Sequence, residues 1–112
     1  TTIPGPSALT AAASISGFPM EKFLFLGFPP AKRKRKKFFE QVINSKYPVI
    51  FYESPHRIIK TLNELQNTQV VVCRELTKKF ETIYRGRIEE VVEEIKKGEI
   101  KGEFTVIIEG RK

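Results

Sequence analysis

The chain has 112 residues, 40% hydrophobic and 29% charged, with 20 Lys and Arg against 13 Asp and Glu, a net charge of +7 and a pI near 9.7. That length suits one domain with a real hydrophobic core, and no apolar run approaches the ~20 residues of a membrane span. The single cysteine, Cys73, excludes an internal disulfide and a cysteine-based zinc cluster and points to a reducing, cytoplasmic compartment, while the surplus of cations favours a polyanionic partner.

The chain opens without methionine, and Thr1-Thr2-Ile3 runs at once into the turn Pro4-Gly5-Pro6-Ser7. That is no signal peptide, and it reads as the start of a piece cut from a longer protein. Proline and serine there suit the entry of a small-residue helix from Ala8 to about Ser16, stopped by Gly17. Phe23 to Phe28 is a continuous apolar run closed by Pro29-Pro30, the pattern of a buried strand. Phe38, Phe39, Val42 and Ile43 then recur at helical spacing. Val49 to Tyr52 reads as a strand, and Ile58, Ile59, Leu62 and Leu65 as a helix entered through Ser54-Pro55. Val70 to Cys73 is a third strand, and Thr82 to Arg85 a short fourth that ends at Gly86. Ile88, Val91, Val92 and Ile95 follow the i, i+3, i+4, i+7 template up to Lys96-Lys97-Gly98. Phe104 to Ile108 closes the series. Strands alternating with helices predict an α/β fold: a mixed, mostly parallel sheet of about five strands with helices on both faces.

Three segments carry candidate chemistry. Lys32, Arg33, Lys34, Arg35, Lys36 and Lys37 form an unbroken basic run at the opening of a predicted helix. Cations there oppose the helix dipole at about 0.3–1 kcal/mol and repel one another, so stability does not ask for them. The run reads as a phosphate-binding patch, against the alternative of a solvated charged face. Glu53-Ser54-Pro55-His56-Arg57 follows a strand end, where open α/β sheets gather ligands. Arg57 repeats the anomaly of a cation at a helix start, and His56, a lone histidine, reads as structural. Cys73-Arg74-Glu75-Leu76-Thr77-Lys78 closes another strand. Its charges read equally well as an anion site or as surface salt bridges. No metal-ligand spacing, nucleophile elbow or phosphate loop occurs.

Read in order, Ile3-Pro4-Gly5-Pro6-Ser7-Ala8-Leu9, Phe25-Leu26-Gly27-Phe28-Pro29-Pro30, Phe51-Tyr52-Glu53-Ser54-Pro55-His56-Arg57, Arg74-Glu75-Leu76-Thr77-Lys78 and Gly102-Glu103-Phe104 resemble a known family over essentially the whole chain. They look like the C-terminal half of the bacterial small-subunit ribosomal RNA cytidine 2′-O-methyltransferases, within the tetrapyrrole methylase superfamily. The resemblance implies a two-domain enzyme that binds S-adenosylmethionine between its halves, with a glycine-rich N-terminal domain that lies outside residues 1–112. It implies cofactor contacts at Tyr52, Glu53, Leu76, Phe104 and Thr105, although Leu76 is larger than the small residue relatives place there. Candidate catalytic residues are Glu53, as a base for the ribose hydroxyl, and Arg57; no metal is required. The candidate RNA-binding set is Lys32, Arg33, Lys34, Arg35, Lys36, Lys37, Arg57, Arg74 and Lys78. Small-subunit RNA or its ribosomal particle is the implied partner, and a homodimer is common in the superfamily.

Two other readings compete. A non-catalytic basic RNA-binding module would bind RNA indifferently to cofactor. A porphyrin or corrin methylase of the same superfamily would need neither six consecutive cations nor the Phe-Tyr-Glu-Ser-Pro-His-Arg string.

Overall fold

The computed structural model describes residues 16–18, 21–65, 68–76, 79–98 and 100–110. Five strands form one sheet: β1 (Leu24–Phe25), β2 (Val49–Glu53), β3 (Gln69–Leu76), β4 (Lys79–Arg87) and β5 (Glu103–Ile108), in the spatial order β1-β2-β5-β3-β4. Among the described residues three helices connect them: α1 (Arg35–Asn44), α2 (Ile58–Asn63) and α3 (Ile88–Lys96). The α/β architecture and the mixed sheet agree with the sequence. The balance of directions does not, because only β1 and β2 pair in parallel. The last strand inserts between β2 and β3 and runs antiparallel to both, and β3 pairs antiparallel with β4.

Alternation along the strands sorts the apolar residues onto two faces. Val49 and Phe51, Val70 and Val72, and Phe104, Val106 and Ile108 share one core with Phe39 and Val42 of α1, Ile58 and Leu62 of α2, and Val91, Val92 and Ile95 of α3. Ile50, Val71, Cys73 and Ile107 face the other way, with Phe18 packed against them. All three described helices therefore cover a single face. The helix expected from Ala8 lies outside the described residues except for Ser16, whose backbone is helical.

Three strands differ from their sequence patterns: β3 runs eight residues, Gln69–Leu76, beyond the expected Val70 to Cys73, and the two edge strands differ for physical reasons. The expected six-residue strand ending at Phe28 shortens to Leu24–Phe25, because it is an edge paired on one side and Gly27 (φ 70°) turns the chain away. The fourth strand spans nine residues rather than four. It is the opposite edge, and its interspersed charges hide the strand pattern while suiting a solvent-facing edge.

The helices differ in how well they obey dipole rules. In α3 Glu89 and Glu90 occupy the first turn and Lys96 the last, and Glu90 accepts a hydrogen bond from the Arg87 N–H at 3.0 Å. The first turn of α1 holds no acid, and Lys34 before it adopts a left-handed backbone (φ 66°) without a side-chain cap. A non-glycine residue in that conformation costs about 1–2 kcal/mol, so something nearby has to offset it.

Candidate functional site at the strand ends

Because β2 and β3 both run antiparallel to β5, their carboxyl ends converge with the start of β5 at one edge of the sheet. Tyr52 pairs with Thr105 and Thr105 with Cys73; Glu53 pairs with Phe104 and Phe104 with Arg74. The structure thus brings Tyr52, Glu53, Phe104 and Thr105 together. It also divides them, since neighbouring residues of a strand point to opposite faces. Glu53 and Phe104 belong to the helix-covered face, and Tyr52 and Thr105 to the other.

Glu53 is 2% exposed. One carboxylate oxygen, Oε1, accepts the Ser54 N–H at 2.9 Å, and Oε2 accepts the Thr61 hydroxyl at 2.6 Å. A general base has to come within about 2.6–3.2 Å of the proton it removes. A carboxylate bonded at both oxygens and sealed under α2 does not reach a substrate at this surface. Glu53, expected as a candidate base for the ribose hydroxyl, is thus buried and bonded at both oxygens, and it anchors α2 to the end of β2. The side chains of Phe104 and Thr105 are likewise buried, and their strand pairs on both sides. Leu76 ends β3 opposite Lys79.

Tyr52 is the half-buried member of the group. Burial raises its phenol above the usual value of 10.0, and the negative charges of Glu75 and Glu103 push it the same way. Those two acids sit opposite each other in the β3–β5 register, an arrangement of like charges that disfavours the sheet. Phe25 and Phe28 meet the Tyr52 ring at 5.1 and 5.6 Å, both near-perpendicular. On the helix-covered face Arg74 donates through Nη2 to Thr82 Oγ1 at 3.2 Å, while its buried Nε has no partner among the described residues.

The basic run divides as well. Lys32, Arg33, Lys34, Lys36 and Lys37 are exposed, but Arg35 is 8% exposed. Its guanidinium forks onto Glu64 (Nη2 to Oε1 2.8 Å, Nε to Oε2 3.2 Å), donates to Thr61 Oγ1 at 2.9 Å and to the Pro30 carbonyl at 2.8 Å, and lies over the Phe39 ring. The left-handed turn at Lys34 is what swings Arg35 inward, and this set of bonds offsets its cost. Arg35 is thus removed from the phosphate-binding set. Arg57 stands at the N-cap position of α2 without a side-chain capping bond and is exposed, as is His56. Lys78 lies outside the described residues. Among the described residues no group of three or more His, Cys, Asp or Glu could hold a metal ion, and no helix is long and apolar enough to cross a membrane.

Thr61, Glu64, Phe25, Phe28 and Glu103 were not legible as site residues. Only Phe28 carries a local signal, a large aromatic set between the turn residues Gly27 and Pro29.

The fold is that of an open, mixed α/β domain in which the carboxyl ends of β2 and β3 meet the start of β5. The tetrapyrrole (corrin/porphyrin) methylase family matches residues 1–92, and the chain belongs to that family. Among curated relatives, a protein named ribosomal RNA small subunit methyltransferase I from Halalkalibacterium halodurans is 45% identical over 96% of this chain and 39% of its own length. Proteins of the same name from Thermotoga maritima and a Hydrogenobaculum species are 35% and 43% identical, over 97% and 95% of this chain and 51% and 48% of theirs. The chain spans about two fifths to one half of the relatives it matches.

Proposed function

We propose that the complete protein is an S-adenosylmethionine-dependent methyltransferase that modifies a cytidine ribose 2′-hydroxyl in small-subunit ribosomal RNA, and that this chain is its C-terminal half. The observation that carries the reading is 45% identity across 96% of the chain to a relative named for that RNA. On this reading the remainder of the cofactor cleft lies in sequence outside residues 1–112, which is consistent with relatives that run to about twice the matched length. A ribosomal RNA substrate places the protein in the cytoplasm.

Residues of the strand-end edge suit the cofactor, though not all those the sequence suggests. Glu75 and Glu103 supply negative potential beside the half-buried Tyr52 ring, which matches a cationic, partly apolar ligand. When bound, S-adenosylmethionine supplies an electrophilic methyl on a positively charged sulfur for the ribose oxygen. The chain's own contribution is to hold and align. Correct alignment of two reactants is worth up to about 7–11 kcal/mol of barrier. The exposed Lys32, Arg33, Lys34, Lys36 and Lys37, with Arg57, hold RNA phosphates, and phosphate contacts fix register without reading sequence.

Deletion of the gene tests the reading. Small-subunit RNA from the deletion strain should lose a 2′-O-methyl group from one cytidine, and a plasmid copy should restore it. RNA methylated identically in both strains rules it out.

A further inference from the structure

Among the large apolar side chains of the described residues Phe28 is the most exposed, at 58%, and Phe25 beside it stands at 44%. Burying a phenylalanine stabilises a fold by about 1.5–3 kcal/mol, so neither ring serves the core where it stands. Nor is Phe28 carried on a slack loop. The Gly27 carbonyl accepts the Tyr52 N–H at 2.8 Å, Pro29 is buried, and the Pro30 carbonyl accepts Arg35 Nη1 at 2.8 Å. Both ends of the loop are tied to the sheet edge or to the Arg35 anchor. Tyr52 meets the rings of Phe25 and Phe28 at interplanar angles of 65° and 62°, which props them against the edge. Exposed cations begin four residues further on, at Lys32, Arg33 and Lys34.

A fixed, solvent-facing aromatic followed at once by cations is what recognition of unpaired nucleic acid requires. The cations track the backbone, and the ring stacks with a base whose faces are free. A duplex suits such a ring less well, because its bases are already stacked and opening a step costs a few kcal/mol. We infer that Phe28, propped by Tyr52, is a stacking platform for one unpaired base of the RNA held by the Lys32–Lys34 loop. This rests on the RNA reading above and adds a requirement that the target nucleotide be unstacked on arrival. The charge of the neighbouring loop favours RNA as the occupant over another protein surface, since a polyanion is its natural complement.

The test is fluorescence anisotropy of the full-length protein with an unstructured labelled RNA oligonucleotide over a salt series, for wild type, Phe28→Ala and Phe28→Trp. Stacking is worth about 1–3 kcal/mol per base, so Phe28→Ala should weaken binding about 5- to 150-fold at every salt. The slope of log K against log salt should not change, because no phosphate contact is lost. Phe28→Trp should bind at least as tightly as wild type. Equal affinity of Phe28→Ala and wild type overturns the platform while leaving the RNA reading intact. So does a Phe28→Ala protein whose RNA affinity is unchanged but whose sedimentation mass or cofactor affinity falls, since Phe28 is then covered by protein. Absence of any salt-dependent RNA binding by wild type overturns the RNA reading, and the platform with it.

Discussion

The Thr61 hydroxyl donates to Oε2 of Glu53 across 2.6 Å and accepts from Arg35 Nη2 at 2.9 Å. One side chain of α2 therefore joins the end of β2 to the start of α1, and with it the edge of the sheet to the basic loop. All three groups are buried. Removing one partner of such a set leaves the others desolvated and unmet.

Glu53→Ala should lower the unfolding free energy by about 1–3 kcal/mol, because it strips the acceptor from the Thr61 hydroxyl and the Ser54 N–H together. Thr61→Val should cost a similar amount, and Thr61→Ser much less. Residues in one network are not additive. Urea denaturation of both single variants and the double variant should therefore show a double loss smaller than the sum of the single losses. Additive losses would mean the 2.6 Å contact carries no coupling.

Arg35 and its basic neighbours should separate cleanly. Arg35→Gln leaves Glu64 beside an uncharged partner. Breaking a buried pair costs about 3–5 kcal/mol, and the lower end applies here because the Glu64 side chain is 33% exposed. Replacing Lys32, Arg33 and Lys34 with glutamine should leave stability within about 0.5 kcal/mol. It should flatten log K against log salt for single-stranded RNA by about two, at roughly 0.7 per contact. A triple variant with the wild-type slope would make the loop a solvated face.

The sequence shows β2 and α3 almost to the residue, because β2 is one short apolar run and the apolar positions of α3 repeat at helical spacing, with acids and lysine where the dipole wants them. The place of β5 between β2 and β3 has no local signature. Nothing within Phe104 to Ile108 says which neighbours it will take or in which direction, so the sheet reads as mostly parallel when it is mostly antiparallel. Arg35 is indistinguishable from five flanking cations until the left-handed turn at Lys34 aims it inward. Glu53 follows the same logic. Its position at a strand end suggests exposure, and only the packing of α2, with Thr61 above it, reveals that it is sealed.

Alkaline conditions should expose Cys73 and Tyr52. Burial pushes the Cys73 thiol from 9.0 up to about 11, against a smaller lowering by the Arg85 charge, and Tyr52 is raised above 10.0. Both groups hold their protons more firmly folded than unfolded. Their contribution to stability is therefore complete below about pH 9 and is lost as pH rises through the folded values. Unfolding free energy should fall between pH 9 and 11, and Cys73→Ala should fall less steeply in that window. At pH 8 the native thiol should react with a disulfide reagent at least about a hundredfold more slowly than in denaturant, since only the thiolate attacks. Equal rates would show that the thiol is neither buried nor shifted.

Transfer of labelled methyl from S-adenosylmethionine to purified small-subunit RNA or particles by the full-length protein bears most directly on the reading of this chain as half of an RNA methyltransferase. The predicted result is label at a single cytidine ribose, dependent on the enzyme, with no label on large-subunit RNA and none when residues 1–112 are supplied alone. Contradiction would be full-length protein that binds S-adenosylmethionine yet labels no RNA, or that labels a porphyrin or corrin instead.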